Sequence, residues 1–219
     1  KPFYGRIINR FMIKEDWDQT SAYVKFDYPF YKETGRVSYI LGYNPEFIDH
    51  ELCRKYEVEG KVSLSSMEKP YKEVGFILVH EVLHTLLGHI TDRTFLSQDE
   101  GERELINIAM DMAINSMILK ATENANSDIS LFPPRLGFYA GRKPVCKNQE
   151  LAEFVEKLPT LQTTTFYYNS LKKFLESQPL KDGKGGGKNK VKVFLNGAAD
   201  SETGLNGFDS HGWEDLPKE

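Results

Sequence analysis

One stretch restricts this chain more than any other: GFILVHEVLHTLLGHITDR, residues 75–93. Its apolar residues recur at helical spacing, and Gly88 supplies a stop near the end. Yet three of the chain's five histidines, His80, His84 and His89, sit inside it beside Glu81. A helix with an apolar surface that also carries imidazoles and a carboxylate must satisfy them, by hydrogen bonds or by a cation.

On a helix, residues i and i+4 lie only about 40° apart. His80 and His84 therefore share one face, one turn apart, within reach of a single ion. Neutral imidazole is a natural ligand of Zn²⁺, which tolerates an open fourth position in catalytic sites. Glu81 lies about 100° round from His80. That is too far round for a third ligand beside the pair, but suited to a base that reaches a water held on the metal. His80-Glu81-Val82-Leu83-His84 is thus the HExxH pattern of zinc metallopeptidases.

The third ligand has two main candidates. On a continuing helix His89 points about 140° away from His84, and it returns only if the helix breaks at Gly88. Its other reading is a terminal histidine interacting with the helix dipole. Asn107, Asp111 and Asn115 instead form one stripe of a second helix, amid Ile, Ala and Met. Asp111 is flanked by apolar residues, where a carboxylate is paired or metal-bound. Asp111 is preferred over His89, with Glu104 in reserve. His211, in FDSHGWED near the C-terminus, is a further candidate, as a ligand or as an oxyanion donor.

Around this centre the pattern alternates between element types. Residues 1–19 read as a short helix with Ile7, Ile8, Phe11 and Met12 on one side. Ala22–Tyr28 and Arg36–Tyr43 read as strands separated by a turn at KETG. Asn44-Pro45 looks like a helix start. A helix is expected from about Tyr71, after Pro70, to Leu87, with Val74, Ile77, Leu78, Leu83 and Leu86 as its apolar surface. Further helices are expected at Glu102–Lys120, Gln149–Leu158 and Thr164–Glu176, with a loop at Pro133, Pro134 and Gly137. Lys181–Lys190, KDGKGGGKNK, has the composition of a flexible linker. The expected organisation is one domain over 1–180, the linker over 181–190, and a tail over 191–219 that docks near the site.

A net charge of −4 gives no electrostatic footprint for nucleic acid, and no apolar run approaches a membrane span. Cys53 and Cys146 lack CxxC spacing, so neither a disulfide framework nor a thiolate metal site is indicated. The first residues, KPFYGRIINRF, lack the apolar core of a signal peptide, and a reduced cytoplasmic setting is expected.

HEVLHTLLGH, preceded by YNPEF (Tyr43–Phe47) and followed by NIAMDMAIN (Asn107–Asn115), resembles a metallopeptidase domain often found beside a von Willebrand A-like domain in bacteria and their phages. TTTFYYNSLKKF and the SHGW tail are similar to that family's later segments, so the resemblance covers most of the chain, about Pro29 to Trp213. It implies a zincin-like α+β fold, with the HExxH helix packed under a small sheet and further helices. It also implies His80 and His84 as metal ligands, Glu81 as the catalytic glutamate and Asp111 as the acidic position on the next helix. A von Willebrand A-like or ATPase partner is implied too, although no DxSxS metal-adhesion motif is present in this sequence.

The leading expectation is a zinc-dependent peptidase acting on peptide or protein substrates, with Glu81 as general base. The Arg36–Tyr43 strand is expected to be the edge that aligns an extended peptide. Tyr139, Tyr167, Tyr168 or His211 is expected to stabilise the oxyanion. The alternative is a catalytically silent zincin-fold module for binding or assembly with a structural zinc, its open position closed by His89 or His211. A metal-water hydrolase of a non-peptide amide is a third reading.

Overall fold

The structure, a computed structural model, describes residues 11–19, 22–46, 64–90, 100–123, 138–144 and 148–178. The fold is α+β, with a three-stranded mixed sheet and five helices among the described residues. The strands are β1 (Phe11–Glu15), β2 (Ala22–Phe26) and β3 (Tyr39–Tyr43). The helices are α1 (Tyr28–Thr34), α2 (Leu64–Leu86), α3 (Glu100–Glu123), α4 (Gln149–Glu156) and α5 (Thr164–Ser177). Contacts divide the chain into two compact units. One holds the sheet, α1 and α2; the other holds α3 through Ala121, α4 and α5. No described helix is long and apolar enough to cross a membrane.

In the first unit the sheet order is β1-β3-β2, with β1 parallel and β2 antiparallel to β3. Cross-strand partners share a face, so Ala22, Val24, Leu41 and Tyr43 line one side. Helix α2 packs on β2, and Ala22 and Ile77 form a small cluster flanked by Tyr43 and Val74. On the other face the Tyr23 ring lies over Gly42, where a Cβ would fall 2.2 Å from the ring. Only glycine admits that approach. The Tyr23 hydroxyl then donates to Asp16 Oδ2 at 2.8 Å, tying the end of β1 to β2 across the central strand.

Four expectations are corrected in this unit. Phe11–Glu15 is a strand, not part of a helix, because its backbone pairs residue by residue with Tyr39–Tyr43; residues 1–10 lie outside the described set. The expected turn at KETG is the end of α1. Asp27 caps that helix by accepting from Phe30 N–H at 3.1 Å, Pro29 occupies its first turn, and Gly35 closes it in the left-handed region. The strand containing Tyr39–Tyr43 is central, paired on both sides, so it is not an edge open to a peptide. Finally, α2 begins at Leu64 and runs through Pro70, rather than starting after it. The Asn44 start is supported by its Oδ1, which accepts from Glu46 N–H at 2.8 Å.

The second unit is held by an apolar core of Leu105, Ala109, Met112 and Ala113 from α3 with Leu151 and Val155 of α4 and Tyr167, Leu171 and Leu175 of α5. Helix α3 is buried or half-buried all along Leu105–Leu119 apart from Met117. Asn148 and Thr163 cap α4 and α5, accepting from Leu151 N–H at 3.0 Å and Phe166 N–H at 3.2 Å. Phe154 and Phe174 stack at 4.3 Å between ring centres. The buried Tyr167 hydroxyl donates to Pro159 O at 2.8 Å, satisfying the polar end of a ring that is 0% exposed. Lys172 bonds Glu102 at 2.7 Å and Tyr168 at 3.0 Å, and these partners raise its pKa and keep it cationic. The loop at Pro133, Pro134 and Gly137, the linker over 181–190 and the tail over 191–219 lie outside the described residues.

Candidate metal centre

The buried surface of α2 is not the one its leucines suggest. Leu86 is half exposed, whereas Phe76, Ile77, His80, Glu81 and His84 are all buried. At about 100° per residue these five fall within an arc of about 140°. Hydrophobic and chemical side chains thus share one buried stripe, and packing Phe76 and Ile77 inward carries the histidines inward with them; Val82, about 240° round from Phe76, is buried as well. His84 is 0% exposed, Glu81 1%, His80 4% and His89 6%. A glutamate buried to that degree is rare unless something compensates its charge.

The imidazoles converge. His80 Nε2 and His84 Nε2 lie 2.9 Å apart, with ring centres at 4.7 Å and planes inclined by 58°. Two nitrogens on a tetrahedral zinc, each at 2.0–2.1 Å, are separated by about 3.3–3.4 Å, so the pair is spaced to share an ion with a small opening of the rings. His80 and His84 each offer one ring nitrogen to such an ion, and imidazole pairs of this kind are suited to zinc. The residues present fit the ion.

The end of α2 is set by its backbone. Gly88 has φ +74°, its N–H donates to Thr85 O at 3.2 Å, and the His89 N–H donates to His84 O at 3.0 Å. This pair of bonds is a Schellman motif, with glycine in the left-handed position just past the helix. The helix therefore does break at Gly88, and the chain turns His89 back. His89 Nδ1 comes to 3.3 Å from His84 Nδ1, the ring nitrogen on the side away from His80. The two rings are nearly perpendicular, at 68° and 5.1 Å.

The remaining candidates separate. Glu104 is half-buried on α3. Asn115 donates through Nδ2 to Phe138 O at 3.0 Å, a structural bond within the second unit. The Tyr167 and Tyr168 hydroxyls donate to Pro159 O and to Glu102 Oε1, and Tyr139 is buried. His211 lies outside the described residues. What motif spacing missed was the relation of His89 to His84. The available signal was Gly88-His89 directly after the helix, which places His89 five residues beyond His84, the separation that a Schellman motif brings together.

No family model, curated protein or solved structure matches this chain.

Proposed function

We propose that this protein is a zinc-dependent metallopeptidase, a zincin-like hydrolase of peptide bonds. The observation that carries this reading is the approach of His80 Nε2 and His84 Nε2 to 2.9 Å. These two residues would hold Zn²⁺, with Asp111, the acidic residue amid apolar neighbours in the next helix of the sequence, as the third ligand, and Glu81 follows His80 directly on the same buried stripe. When bound, zinc supplies Lewis acidity toward a peptide carbonyl and lowers the pKa of coordinated water. Glu81 accepts the proton of the attacking water and returns it to the departing amine, the work of a general base that becomes a general acid. Burial of Glu81 and both histidines limits bulk water around the reacting groups, which strengthens each charge interaction there.

The family resemblance belongs to the same proposal, with a peptide or protein substrate and a von Willebrand A-like partner. Substrate alignment along Tyr39–Tyr43 does not, since both sides of that strand are already paired.

The test is Glu81→Gln. A neutral amide of the same shape keeps the packing and both imidazoles but cannot take a proton. Zinc content and thermal unfolding should match wild type, while hydrolysis of an unstructured protein substrate such as casein should fall by about 10²-fold or more. Undiminished hydrolysis would remove Glu81 from the mechanism. Loss of zinc would make it a ligand.

A further inference from the structure

We infer that His89 is a positioning residue for His84: it accepts a hydrogen bond from His84 Nδ1–H and so fixes the tautomer and ring angle with which His84 Nε2 faces the metal. The inference rests on the proposed zinc site and assigns a residue that HExxH does not contain.

Three observations support it. First, the two Nδ1 atoms are 3.3 Å apart, and His84 uses its other nitrogen, Nε2, toward His80. A histidine that ligates through Nε2 must carry its proton on Nδ1, and it almost always donates that proton to a partner that holds the ring. Here the facing atom is a second imidazole nitrogen, which accepts when its own proton sits on Nε2. Second, the contact is buried, with His84 at 0% and His89 at 6% exposure. Water therefore competes little for the bond. Third, the backbone enforces it. Gly88 at φ +74° and the bond from His89 N–H to His84 O make His89 the residue that a Schellman motif folds back onto His84. That motif usually closes with an apolar contact between these two positions; here it closes with two imidazoles.

The arrangement also separates the roles of the three histidines. His80 and His84 direct Nε2 to a common point, whereas His89 approaches His84 from its far nitrogen. A ligand and a positioning residue make different predictions for the same substitutions.

The experiment measures zinc affinity of the full chain by competition with a chromophoric chelator, for wild type, His84→Ala, His89→Ala and His89→Asn. Circular dichroism and thermal unfolding check that each variant is folded. His84→Ala should lose zinc. His89→Ala should weaken it by about 10–100-fold, and His89→Asn, whose Oδ1 can accept in place of Nδ1, should recover most of that loss. A nitrogen-15 spectrum of zinc-loaded wild type should show His84 protonated at Nδ1 and His89 carrying no metal. That reading needs no variant to fold. Unchanged affinity in His89→Ala, with His84→Ala empty, overturns the positioning role and leaves the zinc site standing. Zinc loss in His89→Ala as complete as in His84→Ala, without rescue by Asn, or a metal-bound His89 spectrum, makes His89 a ligand and overturns the inference. Zinc retained by His84→Ala overturns the underlying site instead.

Discussion

Asp111 and His89 compete for one role, and their surroundings make different demands on them. Asp111 stands amid apolar residues on α3, while His89 meets His84 at 3.3 Å through the nitrogen turned from His80. In the proposed site Asp111→Ala would remove a coordination bond, whereas His89→Ala would remove the partner of a ligand. Zinc affinity should therefore fall further in Asp111→Ala than the roughly 10–100-fold expected of an outer partner. Chelator competition on the two variants in parallel checks this, and the reverse ranking would exchange their roles. At this scale the sequence was informative because spacing alone puts His80 and His84 one turn apart. It could not show that Leu86 would be exposed while Glu81 is buried. Apolar periodicity puts Val74, Ile77, Leu78, Leu83 and Leu86 inside; Ile77 is buried as expected, Leu86 is not, and His80, Glu81 and His84 share the inside with Phe76.

At the scale of elements, capping and turn chemistry decide more than propensity does. Gly88 is held at φ +74°, where a Cβ costs roughly 1–2 kcal/mol. Gly88→Ala should lower stability by about that amount in urea unfolding. Gly88→Asn should cost less, because asparagine enters the left-handed region more readily. Equal stability of all three proteins would mean that the turn is not maintained in solution. The same chemistry sets α1. Asp27, Pro29 and Gly35 are a start, a first turn and a stop for a short helix, although Tyr28 closes an alternating run that reads as strand. Phe11 and Met12 fit a helical spacing with Ile7 and Ile8, and strand pairing with Tyr39–Tyr43 overrides it. Strand order was not legible at all. Alternation tells which residues share a face, whereas the neighbours of β3 depend on how the chain crosses from β1 to β2.

For the whole molecule, the proposed zinc site would make folding and metal binding one equilibrium. An ion that binds the native chain stabilises it by RT ln(1 + [L]/Kd), about 2.7 kcal/mol at a hundredfold excess over Kd. Unfolding of the wild type should therefore move to higher urea on adding zinc, and unfolding of His84→Ala should not. A shift of equal size in both would place the bound metal elsewhere. The α+β class was legible from alternating and helical patterns, and the helices near Gln149 and Thr164 fall within a few residues of expectation. Elemental analysis of the purified protein asks whether His80 and His84 hold the ion. About one zinc per chain is expected in the wild type and close to none in His80→Ala or His84→Ala, all three folded. Zinc-free wild type after growth and purification with zinc, or mutants that keep the wild-type content, would remove both histidines from the role of ligand.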